Sequence, residues 1–359
     1  MSTFSSKRVP LLLLAFLCFA IPTELCFSNS GLRITSYSSA FRVIFKRKLI
    51  ENRSAPPVDV LVIGDSRAGA IDVRQLEEKF PEGTVLYNLA IEDMGTSLQY
   101  YLTLKKWLSY RNTPTHIVFA PSPETFVTPV CDGIFDHESP IAEVIEGDMH
   151  LFRRLFSFSE FIREVPLSCT RSLFRAYFQN LLPSIDYRHF ARMFYFTEDR
   201  EEHLSSVEEL RSELVDMKGG FLLFRGQQFP ADGVVPKPFW ERVRREVENP
   251  FSSSANIERL MELAHENEIS VFVVIPPMLR EIHSDHVEYR TMAWVERTLQ
   301  KWKEKYPKFH YLDYKYVYQR KYFSDWTHLT DEGAEQFNKD IVQALEKIKI
   351  EAPESLTTK

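Results

Sequence analysis

Short apolar runs alternate with longer amphipathic stretches, and this alternation constrains the fold more than any other feature of the sequence. Runs rich in valine, isoleucine, leucine or phenylalanine predict buried strands, whereas apolar residues with a period near 3.6 predict helices. The predicted strands are 58–63, 84–89, 116–120, 270–275 and 309–313, and the predicted helices are 68–80, 96–110, 256–267, 287–305 and 331–348. Because such alternation builds a parallel sheet covered on both faces, we predict a three-layer α/β/α fold with a central parallel sheet.

The alternation is interrupted between the third and fourth predicted strands. Residues 126–250 contain many aromatic side chains and arginines, so they predict a mainly helical insertion into a core formed by residues 58–125 and 251–350. A chain of 359 residues exceeds the usual size of one domain, and the insertion explains this length without a second independent domain. Aromatic residues at helical spacing usually form a core, and a ligand groove over the sheet is the alternative.

The first residues resemble a secretory signal. Lys7 and Arg8 precede an apolar run over residues 9–22, and a basic start followed by roughly 7–15 apolar residues is typical of such signals. The run is short for a membrane span, which needs about 20 residues, so residues 1–27 are either a cleaved signal or an uncleaved anchor. We therefore expect an exported protein of the periplasm or another extracytoplasmic space.

Residues 28–57 predict a juxtamembrane segment and linker. A basic amphipathic stretch over 41–50 has two interpretations. It lies on an anionic membrane surface, or it forms a helix whose apolar face packs on the body of the protein.

The composition argues against several classes of protein. A formal net charge of −6 argues against a nucleic-acid-binding protein, and a mean hydropathy of −0.25 argues against a polytopic membrane protein. No cofactor or metal is expected, because the sequence has no glycine-rich nucleotide-binding motif and its four cysteines include no Cys-x-x-Cys pair. Cys131 and Cys169 are either bonded to each other or free.

Gly64, Asp65 and Ser66 stand where the first predicted strand meets its helix. In a parallel α/β sheet, ligands bind beyond the carboxyl ends of the strands, and amides at a helix N-terminus stabilise negative charge there. Ser66 is therefore a candidate nucleophile. The alternative interpretation is that Asp65 or Ser66 only caps the helix.

A second polar block, Asp325-Trp326-Thr327-His328, precedes the last predicted helix. The predicted topology returns this loop to the edge of the sheet that carries Ser66. A nucleophilic serine needs a base to take its proton, and the base needs a carboxylate that orients it. His328 and Asp325 can supply these two functions from one turn.

With these two blocks the sequence resembles the SGNH (GDSL-type) hydrolase superfamily over residues 58–122 and 256–348. Members have Gly-Asp-Ser after the first strand and Asp-x-x-His before the terminal helix, on a flavodoxin-like fold. The resemblance implies that Ser66 is the nucleophile, His328 the general base and Asp325 its orienting carboxylate.

The second block of the family is an asparagine followed by a glycine whose amide contributes to the oxyanion hole. Asn88 and Gly95 resemble this block, with a longer spacing than usual. The resemblance therefore implies that both residues belong to the oxyanion and substrate region.

The third block departs from the family pattern. The family usually has Gly-x-Asn-Asp after the third strand, but residues 120–125 read Ala-Pro-Ser-Pro-Glu-Thr and contain no asparagine. One oxyanion donor is missing from this place. In comparable sites such a donor stabilises the transition state by about 2.7–4 kcal/mol. Ser122, Thr125 or Arg67 are candidates to replace it, and Arg67 as a plain surface residue is the alternative.

The run over residues 60–67, the export signal and the helical insertion are similar to the envelope branch of the superfamily. That branch includes the D-alanyl transfer protein of teichoic acid synthesis and alginate-type O-acetylation proteins. The resemblance implies an exported serine esterase or O-acyltransferase that acts on an acyl ester of an envelope glycan or lipid, with a membrane-bound O-acyltransferase as partner. The alternatives are a non-catalytic SGNH-fold protein that binds such an acyltransferase or a polymer, and a structural anchored protein.

Overall fold

The structure, a computed structural model, describes residues 38–91, 97–121, 163, 211–212, 214–220, 254–279, 286–315, 317–325 and 327–347. The predictions for the N-terminal signal or anchor, for the four cysteines and for most of the insertion fall outside these residues, as do Gly95, Ser122 and Thr125. Within the described ranges, no helix is both long enough and apolar enough to span a membrane.

Five parallel strands form the central sheet. They are β1 (Val60–Gly64), β2 (Leu86–Asn88), β3 (His116–Ala120), β4 (Ser270–Ile275) and β5 (Phe309–Asp313). Their order is β2-β1-β3-β4-β5, and each neighbouring pair is parallel. This sheet, with helices on both faces, confirms the predicted three-layer α/β fold. All five strands therefore end at the same edge, called the carboxyl edge below.

Helices cover both faces of the sheet. They are α1 (Ser38–Glu51), α2 (Val73–Glu77), α3 (Ser97–Tyr110), α4 (Ser254–Glu266), α5 (His286–Lys305) and α6 (Asp331–Lys347). Alternate residues of each inner strand face opposite sides. Leu61 belongs to a hydrophobic cluster that includes residues of α1, α3, α4 and α5, whereas Val62 belongs to one that includes residues of α2 and α6. Burial on both faces explains why β1, β3 and β4 are nearly continuous apolar runs.

The prediction of one helix over residues 68–80 is wrong. A 3₁₀ turn at Ala68–Ala70 is followed by extended backbone at Ile71 and Asp72, and only then does α2 begin. The Asp72 side chain accepts a hydrogen bond from the Arg74 amide at 3.0 Å. This local bond competes with a continuous helix, which the apolar spacing alone did not reveal.

Helix α1 contains the whole basic stretch at 41–50 and packs on the body of the protein. Val43 and Ile50 lie in the same hydrophobic cluster as α3, and the side chains of Arg42 and Lys46 are also buried. The structure therefore agrees with the packing interpretation of this stretch.

Candidate active site

The nucleophile candidate Ser66 follows β1 in a crowded turn. A Cβ atom at Gly64 would collide with the Ala120 carbonyl on β3 and with the Cβ of Ala68. Only glycine allows the neighbouring strand and the 3₁₀ turn to approach β1 so closely. Ser66 is thereby held half-buried at the carboxyl edge.

Asp65 closes this turn. Its buried carboxylate accepts a hydrogen bond from the Arg67 amide at 2.9 Å, and the amide of Gly69 bonds the carbonyls of Asp65 and Ser66. Asp65 thus stabilises the turn but is not the N-cap of the 3₁₀ turn, which is Arg67, and the hydroxyl of Ser66 has a different partner.

The loop before α6 is organised by Asp325. Its Oδ1 atom accepts hydrogen bonds from the amides of Thr327 and His328, each at 2.7 Å. The amide of Ser324 bonds the His328 carbonyl at 2.8 Å, which closes the loop on itself. The position of His328 is therefore set by the loop before any substrate arrives.

The two blocks meet at the carboxyl edge. The Oγ atom of Ser66 lies 2.8 Å from Nε2 of His328, and Nδ1 of His328 lies 2.7 Å from Oδ2 of Asp325. Serine, histidine and carboxylate are thus joined in the continuous chain that nucleophilic catalysis by serine requires.

The charge state of Asp325 determines which atoms donate in these hydrogen bonds. Burial acts to raise the pKa of Asp325. The hydrogen bond and charge of His328 act in the opposite direction, as do the amides of Thr327 and His328. Together they outweigh burial and hold the pKa of Asp325 below its usual value. An ionised carboxylate only accepts hydrogen bonds. In the neutral imidazole the proton then lies on Nδ1 of His328, and Nε2 is left to accept from the hydroxyl of Ser66.

Thr327 is a site residue that the sequence interpretation did not identify. Its hydroxyl oxygen lies 3.2 Å from Nδ1 of His328 and 3.3 Å from Oδ1 of Asp325. It adds a second polar contact on the side of the imidazole that faces away from Ser66. Its position in the sequence, between Asp325 and His328, was the signal that could have identified it as a site residue.

Asn88 requires a correction, because it is not available as an oxyanion donor. Its side-chain NH₂ donates to the carbonyls of Ala68 at 2.9 Å and Ile71 at 3.0 Å, and its side-chain oxygen accepts from the amide of Ala90 at 2.8 Å. Both amide hydrogens are used, so Asn88 supports the backbone of the turn that follows Ser66.

Asn338 on α6 supports the same turn from the other side. It donates to the Ala70 carbonyl at 2.9 Å and accepts from the Asp72 amide at 2.8 Å. A buried asparagine between Phe337 and Ile341, on the apolar face of an amphipathic helix, was the signal that could have identified it.

Arg67 is half-buried at the start of the 3₁₀ turn, directly after Ser66. Its backbone amide is bonded to Asp65. Gly95 and Ser122, the other predicted oxyanion residues, lie outside the described residues, so their roles stay predictions.

One described part of the insertion lies beside the nucleophile turn. The amide of Asn88 bonds the Lys218 carbonyl at 2.9 Å, and the Lys218 ammonium pairs with Glu77 on α2. Gly219, at φ +90°, passes so close to Asn88 and Tyr87 that a side chain would not fit. Residues 214–220 are thus attached to the strand that neighbours β1.

Comparison of the sequence with models of known protein families gave no match, and a search among curated proteins found no relative.

Proposed function

We propose that the protein is a serine esterase or O-acyltransferase with Ser66 as nucleophile. The hydrogen-bonded chain from Ser66 through His328 to Asp325 is the observation that supports this proposal. A serine placed only to cap a helix would not need a histidine on its hydroxyl and a carboxylate behind that histidine.

In the proposed reaction, Nε2 of His328 takes the proton of Ser66 while Oγ attacks the carbonyl carbon of an ester. Negative charge develops on the former carbonyl oxygen and is stabilised by the Ser66 amide, with the Gly95 amide as the second expected donor. Asp325 stabilises the imidazolium that forms. His328 then protonates the leaving alcohol, and the acyl group remains on Ser66.

The second half of the reaction differs only in its acceptor. His328 removes a proton from water or from a sugar hydroxyl, which attacks the acyl-enzyme and releases Ser66. Hydrolysis and transfer therefore share one covalent intermediate. From the resemblance and the N-terminal pattern, we propose an acyl ester of an envelope glycan or lipid as substrate, an extracytoplasmic location and a membrane-bound O-acyltransferase as partner.

A non-catalytic role is the second candidate. It is favoured by residues 120–125, where the family's oxyanion asparagine is missing. In this case the fold binds an acyltransferase or a polymer and Ser66 is not acylated.

Covalent labelling separates the two candidates. The full chain is treated with a fluorophosphonate probe and with a short-chain aryl acetate, beside S66A and the control S109A, which removes an exposed helix hydroxyl. We expect labelling and hydrolysis in the wild type and in S109A and neither in S66A. Equal rates in S66A would exclude Ser66 as nucleophile, and absence of both reactions in the wild type favours the non-catalytic role.

A further inference from the structure

Lys46 of helix α1 is an unusual residue for its position. Its side chain is fully buried, although it carries an ammonium group. Burial of a charge is costly unless hydrogen bonds compensate it, and the carbonyl of Ala90 is one of the contacts of the Nζ atom. An apolar side chain would fill this place without that cost but could not bond the Ala90 carbonyl.

The Ala90 contact lies on the segment that leaves β2 at the carboxyl edge. Three bonds tie this segment to its surroundings: the Leu89 amide to Val62 at 2.8 Å, the Ala90 amide to Asn88 at 2.8 Å and the Ile91 amide to the carbonyl of Gly64 at 3.0 Å. Gly64 stands two residues before Ser66. Lys46 therefore bonds the carbonyl of the peptide whose N–H is attached to the end of β1.

A second lysine shows that α1 does not need Lys46 merely for attachment. Lys106 on α3, with a side chain 2% exposed, pairs with Glu51 at 3.1 Å. Arg111 adds a hydrogen bond to the Asn52 carbonyl at 2.7 Å. These contacts hold the C-terminal end of α1, whereas Lys46 reaches the segment beside Gly64.

We propose that Lys46 is a positioning residue for Ser66. Its ammonium fixes the Ala90–Ile91 peptide, that peptide bonds Gly64, and Gly64 sets the start of the nucleophile turn. Helix α1, which precedes the α/β core in the chain, thereby becomes part of the support of the active site. The effect of Lys46 on catalysis rests on the proposed function. Its effect on the 89–91 segment does not.

The test compares K46M with K106M, since both changes remove one buried ammonium from the contact between α1 and the core. The second-order rate of fluorophosphonate labelling and kcat for aryl acetate hydrolysis are measured per folded molecule, and amide hydrogen exchange is followed at residues 89–91. We expect labelling and kcat to fall about tenfold or more in K46M and less than twofold in K106M, because small misplacements of a nucleophile are costly. Exchange at residues 89–91 should accelerate in K46M alone.

Equal effects of the two variants on labelling and on exchange would overturn the proposal. If the wild type is not labelled, the proposed function fails, and the exchange comparison alone then decides whether Lys46 holds the 89–91 segment. Should K46M not fold, K46A replaces it with K106A as control, since both remove the amino group and the same outcomes are expected.

Discussion

Nε2 of His328 lies 2.8 Å from the hydroxyl oxygen of Ser66, although 262 positions separate the two residues in the chain. The contact follows from topology, because β1 and the loop before α6 both reach the carboxyl edge of the sheet. Nothing local to either residue produces it. The same edge also holds Asn88 and Asn338, which support the turn rather than the reacting atoms.

Asp325→Asn tests the orientation of His328. The asparagine NH₂ would face Nδ1 and favour the tautomer with its proton on Nε2, where it cannot accept from Ser66. We expect kcat for aryl acetate to fall roughly 100- to 10,000-fold, with the fold retained in circular dichroism. Glu335→Gln, which removes an exposed carboxylate of α6, is the control, and an equally small effect of both variants would contradict the proposed role of Asp325.

Asn88→Ala tests the support of the nucleophile turn. The change removes the partner of the Ile71 carbonyl and of the Ala90 amide, whereas the Ala68 carbonyl keeps its bond from the Ile71 amide. Each buried group left unpaired costs about 1–3 kcal/mol. We expect a lower free energy of unfolding in urea and labelling of Ser66 slowed about tenfold or more per folded molecule.

Asn112→Ala is the matched control for Asn88→Ala. Asn112 makes a comparable pair of bonds to the backbone of Val58, at 3.0 and 2.8 Å, before β1 begins and thus at the opposite edge of the sheet. This variant should lose stability but keep the labelling rate. Slower labelling in both variants to the same degree would show that Asn88 acts through general stability alone.

These contacts also show what could be predicted from the sequence. The five strands were predicted within a few residues. For β1, β3 and β4 the reason is that strands buried on both faces are nearly continuous apolar runs. The pattern of the sequence also predicted the three candidate catalytic residues. Ser66 follows the first strand, and Asp325 stands three residues before His328 in the loop before the last helix.

The supporting contacts were not predicted, for a physical reason. Asn338 bonds the Asp72 amide 266 positions away, and Lys46 bonds a carbonyl 44 positions away. The apolar period can mark a polar residue such as Asn338 on a buried face, but it does not name the distant backbone group that the side chain bonds. Only the three-dimensional structure reveals that partner. The division of the helix at 68–80 was missed for a local reason, since the Asp72 cap overrides the apolar period.

Gly64→Ala tests the close approach of β1 and β3. The new Cβ would overlap the Ala120 carbonyl and Ala68, and two backbone segments cannot move apart as a flexible side chain can. We expect a loss of about 3 kcal/mol or more in the free energy of unfolding. Gly83→Ala is the comparison, since Gly83 has open space around it but a φ of +88°, and should cost only about 1–2 kcal/mol. Equal costs would show that crowding at Gly64 is not the cause.

His116 belongs to a row of rings on the sheet, in which Phe80 meets it edge-on and Phe272 stacks on it. Its ring lies 5.6 Å from that of Phe80 and 5.8 Å from that of Phe272, and Phe272 in turn stacks on His310 at 5.0 Å. Burial, with smaller contributions from the charges of His310 and Lys308, lowers the pKa of His116 to about 4. The folded protein therefore keeps this imidazole neutral.

The His116→Phe variant tests this effect through the pH dependence of stability. An unfolded histidine binds its proton near pH 6.5, but folded His116 does so only near pH 4, so the unfolded chain binds more protons between these values. Acid in this window therefore favours unfolding of the wild type, by up to about 1.4 kcal/mol per pH unit from this residue. We expect the free energy of unfolding in urea to fall less steeply between pH 7.5 and pH 4 in H116F than in the wild type. Val118→Ala, which removes buried volume on the same strand but no titratable group, should lower stability by a similar amount at every pH. Parallel pH profiles of wild type and H116F would show that His116 does not cause the acid sensitivity.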